Sequence, residues 1–194
     1  MARWAPGARE RLLVAAMERF TEQGYDATTV TEIAERAGVT KSTFFRHFPD
    51  KRALLEAGQE TLSTLLVEGI AAAPDDAGPL DAVAAGLERA SDAMGEANRK
   101  LWPRLQAAAA ASAELQARDA MKIVGLAAAM TDALRARGVA DPVAHLAAEL
   151  GVLAFKRGFA AWTAPDSDPT AGLAPYVRDA LDELRTATAS LDQR

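Results

Sequence analysis

The stretch VTKSTFFRHFPDK, from Val39 to Lys51, concentrates cationic, hydroxyl and aromatic side chains within a short segment. Lysine and arginine can neutralise phosphate charge and donate to guanine, and hydroxyl groups can donate to phosphate oxygens. Three phenylalanines in the same stretch are equally typical of a buried helix face. The segment therefore fits a polyanion-binding surface, a piece of core, or both, depending on which residues share a face.

The composition restricts what other chemistry the chain can perform. Its 194 residues contain no cysteine, which excludes disulfides, thiolate metal sites and thiol nucleophiles. The two histidines are His47 and His145, and His145 has no obvious catalytic partner in the sequence. P-loop, HExxH and GxSxG patterns are absent. We therefore expect no enzyme activity, no metal site and no cofactor.

Charge is unevenly distributed along a chain whose net charge is −5. Residues 1–55 contain nine Lys and Arg against seven Asp and Glu, and the remaining residues contain thirteen against twenty. There is no run of about 18 uninterrupted apolar residues, and the N-terminus lacks the apolar region of a signal peptide. We expect a cytoplasmic protein without a membrane partner, in which a slightly cationic N-terminal part precedes an acidic body.

The pattern of apolar residues predicts an all-α fold of about nine helices. β-Branched residues are scattered and period-two alternation never persists, while alanine, leucine, glutamate and arginine dominate. Capping and turn residues divide the first third into four helices. A first helix ends at Gln23, two short helices follow the capping residues Thr29 and Thr40, and a fourth runs to about Ala71.

The rear part of the chain follows the linker-like stretch APDDAGP, from Ala73 to Pro79. Residues 80–137 are rich in alanine, with leucine and methionine at helical spacing. Two long amphipathic helices are then predicted, from Asp141 to Trp162 and from Pro175 to about Leu191.

The twenty residues from Thr29 to Phe48, TVTEIAERAGVTKSTFFRHF, have the size and punctuation of a helix-turn-helix. With RERLLVAAMERFTEQGYDATTV across their start and PDKRALL after them, they resemble the N-terminal domain of TetR-type transcriptional regulators, from about Arg9 to Leu55. The resemblance implies a three-helix DNA-binding head over residues 1–55, with its motif at 29–48. This head is joined through helix 4 to a helical ligand-binding and dimerisation bundle over residues 56–194.

Helical spacing separates the faces of the third helix. Phe44 and Phe48 fall on the inner side, with Ile33 and Phe20, and are predicted to be core. The exposed N-terminal end of a recognition helix reaches base edges, so Lys41, Ser42 and Thr43 are the predicted base readers.

The resemblance also places four residues near phosphates: Thr29, Thr40, His47 and Lys51. Phe45 departs from the family, which usually has a phosphate-binding tyrosine at the matching position, and Phe45 is expected to lie against sugar or a thymine methyl. His47 can instead be a packed or capped imidazole, and Lys51 a solvated lysine at a helix start. Arg46 can point to solvent or toward the duplex.

The rear part resembles, through NRKLWPRLQ and FKRGFAAW, family members that respond to acyl-CoA-like or other lipophilic molecules. The resemblance implies a palindromic double-stranded DNA operator, a homodimer formed by the last two helices, and a small lipophilic effector. Candidate dimer residues are Leu146, Leu150, Leu153, Val177, Leu181 and Leu184, some of which can instead close the protomer's own core. Candidate pocket residues, which can equally be plain core, are Met94, Trp102, Leu105, Met121, Met130, Phe155 and Phe159.

The expected function is therefore a ligand-released homodimeric repressor. Two alternatives remain: a DNA-binding regulator that acts constitutively without an effector, and a helical lipid carrier or enzyme in which the helix-turn-helix pattern is accidental. Salt-dependent binding to a palindromic duplex separates the DNA-binding readings from the carrier or enzyme.

Overall fold

The computed structural model describes residues 7–95, 98–100, 103 and 113–191, and every regular element in them is a helix. The predicted all-α fold is confirmed. Eight helices have defined ends in those residues: α1 Ala8–Gln23, α2 Val30–Arg36, α3 Lys41–His47, α4 Lys51–Ala72, α5 Pro79–Asp92, α6 Ala113–Ala136, α7 Asp141–Trp162 and α8 Leu173–Ser190. The last helix begins two residues before the proline that was expected to open it.

The chain forms two compact units that divide within α4, after Thr61. The first unit contains α1, α2, α3 and the beginning of α4, and the second contains the rest of α4, α5, α7, α8 and most of α6. The sequence analysis placed the boundary after residue 55. Because α4 continues through this region as one helix, the division does not coincide with a helix end.

The first unit is built around one apolar core to which all four of its helices contribute. α2 and α3 have only seven residues each, too few to be stable as isolated helices, so tertiary packing must hold them. The buried residues of this core are Leu12, Ala15, Ala16, Phe20, Ile33, Ala34, Ala37, Phe44, Phe48, Leu54 and Ala57.

Side-chain caps define where α2 and α3 begin. Thr29 and Glu32 form a complete capping box at α2, and the Thr40 hydroxyl accepts from the Thr43 amide at α3. Hydrogen bonds from the Thr29 hydroxyl and amide lower the pKa of Glu32 to about 2. The turn between the two helices contains Gly38 at φ +66°, a left-handed conformation that glycine adopts without a steric penalty.

Close backbone contacts hold the second unit together. A Cβ on Gly69 of α4 would lie 2.6 Å from the Gly86 Cα of α5, and a Cβ on Gly158 of α7 would lie 2.5 Å from the Val177 Cα of α8. The helices can approach this closely only because glycine has no side chain at either crossing. Arg137, just after α6, donates to the carbonyl of Ile70 in the last turn of α4 and to those of Ala73 and Pro74, which follow this helix.

Candidate nucleic-acid interface

The three phenylalanines of α3 and its C-terminal cap lie on two different faces. The exposed fractions of Phe44 and Phe48 are 0% and 3%, and their rings pack 6.0 Å apart between centroids. Phe45 is 49% exposed. Burial of Phe44 and Phe48 confirms their assignment to the core, and it fixes which side of α3 faces solvent.

The solvent side of α3 consists of Lys41, Ser42, Phe45, Arg46 and His47, all exposed, and is called here the α3 outer face. It contains two permanent cations and a histidine, and α3 has no carboxylate. Lys41 Nζ lies 6.0 Å from the Phe45 ring centroid, the outer limit of a cation–π contact. Across the described residues, Lys41, Arg46 and His47 have no hydrogen-bond or ion-pair partner. Their polar groups are therefore available to an external anion.

Thr40 and Thr43 already bond to each other at the start of α3. The Thr40 Oγ1 accepts from the Thr43 amide at 3.1 Å, and the two hydroxyl oxygens are 2.9 Å apart. A hydroxyl has one hydrogen and two acceptor positions. If the Thr43 hydroxyl donates to Thr40, the Thr40 hydrogen stays free for a phosphate while both hydrogen bonds are kept.

Thr29 is less available for the phosphate contact that the sequence analysis predicts. Its hydroxyl donates to Glu32 Oε2 at 2.7 Å, and its amide donates to the same oxygen at 2.8 Å. Since the low pKa keeps Glu32 ionised at neutral pH, a carboxylate charge lies beside the expected phosphate position. The Thr29 contact stays a prediction, and it requires the capping box to rearrange.

Lys51 does not extend into solvent as a phosphate contact would require. Its Nζ donates to the carbonyl oxygens of Tyr25 at 2.6 Å, Thr28 at 3.1 Å and Asp26 at 3.3 Å. The same nitrogen lies 4.3 Å from the Tyr25 ring centroid. Lys51 is therefore not a solvated lysine in the DNA-free protein, and its phosphate contact stays a prediction that would require these bonds to be exchanged.

Arg46 was left undecided by sequence reasoning, but the structure places it on the α3 outer face. It lies one helical turn after Ser42, as His47 lies one turn after Thr43. Residues four apart are neighbours on a helix surface. The spacing was therefore a usable signal for grouping Arg46 with the predicted base readers.

The candidate pocket residues of the second unit are not equivalent. Met130 and Phe159 are buried, Met94 and Phe155 are half-buried, and Met121 is 70% exposed. The Phe155 and Phe159 rings are 5.7 Å apart, and Phe159 packs edge-on against Trp162 at 5.3 Å. Trp102 and Leu105 lie outside the described residues. Met121 is too exposed to line an enclosed pocket in the protomer. The burial of the other four described candidates is compatible with core or with a pocket lining.

The dimer candidates divide between the two last helices. Val177, Leu181 and Leu184 of α8 are buried within the protomer, so they close its own core, the alternative that the sequence left open. In contrast, Leu146 and Leu153 of α7 are 58% and 43% exposed. Together with exposed Val143 and half-buried Leu150 they follow the 3-4-3 spacing of a helix–helix seam, called here the α7 stripe.

Within the described residues, no helix combines the length and apolar character needed to cross a bilayer. No three His, Asp or Glu side chains in that same part of the chain are grouped as metal coordination requires.

Residues 12–57 match the model of the family described as bacterial regulatory proteins, tetR family. The Bacillus subtilis protein YvkB, an uncharacterized helix-turn-helix transcriptional regulator, is 50% identical over 48 residues, which is 25% of each chain. The chain spans about a quarter to just over a third of the first curated relatives that it matches. These matches lie with transcriptional regulators and not with enzymes.

Solved structures resemble a much larger part of the chain. Salmonella enterica GusR is 22% identical with a TM-score of 0.61, over 95% of this chain and 94% of its own, a likeness of fold. Thermus thermophilus FadR, a transcriptional repressor solved in complex with lauroyl-CoA, is 25% identical with a TM-score of 0.50. That match covers 91% of this chain and 93% of the FadR chain.

Proposed function

We propose that the chain is a member of the tetR family of bacterial regulatory proteins, whose model matches residues 12–57. It acts as a cytoplasmic homodimeric repressor that binds a palindromic DNA operator and is released by a small lipophilic ligand. The observation that carries the DNA-binding part is the α3 outer face. Phe44 and Phe48 fix the helix to the core, and Lys41 and Arg46 are left with exposed charges and no carboxylate on α3.

The residues of the α3 outer face, with the neighbouring Thr40 and Thr43, have proposed roles that follow from the chemistry of their side chains. Lys41 donates to guanine O6 or N7, and Ser42 and Thr43 contact neighbouring base edges. Thr40 and His47 donate to phosphates, and Arg46 adds a second cationic contact beside Ser42. Phe45 lies against sugar or a thymine methyl, because it has no hydroxyl to donate.

The experiment that tests DNA binding starts from a random duplex pool of about 30 base pairs, roughly three helical turns. We expect the wild-type protein to select a sequence with two inverted half-sites about one turn apart. Binding should weaken steeply as salt rises, because phosphate contacts release condensed counterions. Failure to select any sequence, with no salt-dependent binding to the pool, would contradict the proposal.

Lys41→Ala should reduce sequence discrimination more than it reduces binding in general. We expect the ratio of affinities for the selected duplex and a scrambled duplex to fall about tenfold to 100-fold, as for a lost guanine contact. The measurement is fluorescence anisotropy on both duplexes at one salt concentration. Lys156→Ala, the same change at an exposed lysine of α7, is the matched control and should leave the ratio unchanged. An unchanged ratio in Lys41→Ala would remove Lys41 from the base readers.

The effector part of the proposal is supported by two observations. The first is the likeness to a repressor that was solved with lauroyl-CoA. The second is that Met130 and Phe159 are buried in the second unit, where the Phe159 ring packs 5.7 Å from that of half-buried Phe155. A ligand releases DNA only if it binds the DNA-incompetent state better, by about 5 kcal/mol for a complete reversal. Lauroyl-CoA added to the preformed complex is the probe, coenzyme A is its control, and persistent binding with both favours the constitutive regulator.

A further inference from the structure

The Lys51 side chain can use all three of its ammonium hydrogens to bind the loop between α1 and α2. An ammonium group has three hydrogens, and three carbonyl oxygens of this loop lie within hydrogen-bond distance of Nζ. The Tyr25 ring lies against the same charge. We call this arrangement the Lys51 clasp.

The clasp acts on a loop that is otherwise well anchored at both ends. The Tyr25 ring packs on Phe20 with centroids 5.0 Å apart, and buried Thr28 donates from its hydroxyl to the Gly24 carbonyl at 2.7 Å. Thr28 directly precedes Thr29, the N-cap of α2. Lys51, the first residue of α4, therefore connects this helix to the residues that set where α2 starts.

A phosphate contact by Lys51 would compete with the clasp. To reach solvent, Nζ would have to give up three charge-assisted hydrogen bonds, and the Tyr25 and Thr28 carbonyls, at part-buried positions, would lose this donor. Lys41 and Arg46 face no such exchange, since they have no partner to release among the described residues. The phosphate role is consequently better filled by the α3 outer face.

We propose that Lys51 is a positioning residue for DNA binding: it holds residues 25–28 and the start of α2 in the conformation that the helix-turn-helix needs, and it makes no phosphate contact. The inference rests on the proposed DNA-binding function. It replaces one of the contacts that the family resemblance implies.

Two substitutions of Lys51, by side chains of similar length, distinguish a positioning role from a phosphate contact. Lys51→Met keeps an apolar chain beside Tyr25 but removes every donor, whereas Lys51→Gln removes the charge and keeps two donors for the carbonyls. Affinity for the selected duplex is measured over a series of salt concentrations, at a temperature where circular dichroism shows both variants fully folded. Amide hydrogen exchange of the DNA-free proteins is measured in parallel.

We expect Lys51→Met to bind the duplex about tenfold more weakly with an unchanged salt slope, and Lys51→Gln to recover much of the loss through its donors. Amides of residues 25–31 should exchange faster in Lys51→Met and less so in Lys51→Gln. A slope reduced by about 0.9 per protomer in both variants, without recovery in Lys51→Gln, would establish a phosphate contact and overturn the proposal. Wild-type affinity in the folded Lys51→Met variant would also overturn it.

The exchange measurement keeps this inference separate from the proposed function. If the wild-type protein binds no duplex, the DNA-binding function fails. Unchanged exchange at residues 25–31 in Lys51→Met shows, independently of any duplex, that the clasp does not hold the loop.

Discussion

Replacing Leu146 and Leu153 together with aspartate is expected to convert the proposed homodimer into monomers and to weaken operator binding at least about 100-fold. Both side chains are exposed in the protomer, two helical turns apart on the α7 stripe. In a dimer that covers this stripe, each protomer would bury two unpaired carboxylates, and their desolvation has no compensating partner. Sedimentation at micromolar concentration reports the assembly, and anisotropy on the selected duplex reports DNA binding.

Val124→Asp is the matched control for the α7 stripe. Val124 is exposed on α6, so this substitution makes the same kind of change, one aspartate in place of an exposed apolar residue, outside the stripe. We expect it to leave both assembly and DNA affinity unchanged. If the double aspartate variant remains dimeric, the α7 stripe is not the dimer interface. If that dimeric variant also loses DNA binding, the stripe affects DNA binding by a route other than dimerisation.

Phe44→Ala is expected to unfold the first unit and abolish DNA binding. Phe44 is fully buried and contacts the rings of Phe45 and Phe48. Truncating a buried phenylalanine removes its transfer free energy and leaves a cavity, at a cost of about 3–5 kcal/mol. Urea denaturation followed by circular dichroism measures the loss. We expect an early transition for the first unit, while the second keeps its midpoint because its core residues are different.

Phe45→Ala is the adjacent control for this prediction. It removes the same side chain from a half-exposed position, so the free energy of unfolding should fall by only about 1 kcal/mol, mainly through the lost contact with the Phe44 ring. DNA affinity should still fall, because the ring that is proposed to lie against the duplex is lost. Equal destabilisation by both substitutions would contradict the division of α3 into a buried and an outer face.

Much of the first unit could be predicted from neighbouring residues in the chain. The boundaries of α2 and α3 depend on Thr29 with Glu32 and on Thr40 with Thr43, and each pair is three residues apart. The separation of Phe44 and Phe48 from the α3 outer face follows from helical spacing alone. Arg46 shows that the same spacing held more information than was used, since it lies one turn after Ser42 on the same face.

The dimer candidates show where periodicity stops being sufficient. The apolar residues of α7 and α8 were correctly predicted to lie on helix faces, but periodicity does not say what covers a face. In the structure the α8 residues Val177, Leu181 and Leu184 pack within the protomer, while Leu146 and Leu153 stay uncovered. The spacing of apolar residues along a helix is the same whether they pack against a partner or within the protomer. The hydrophobic effect favours burial in either place.

For the charged side chain of Lys51, too, the sequence does not determine which groups it contacts. Its type and its place at a helix start are compatible with a phosphate contact, solvation or an internal role. The carbonyls that bind it come from residues 23 to 26 positions earlier. Helix type, caps and face periodicity are encoded over three or four residues, so the sequence specifies them locally. The partners of Lys51 and of the α8 leucines depend on which distant segments the fold brings together, and only the packed chain establishes them.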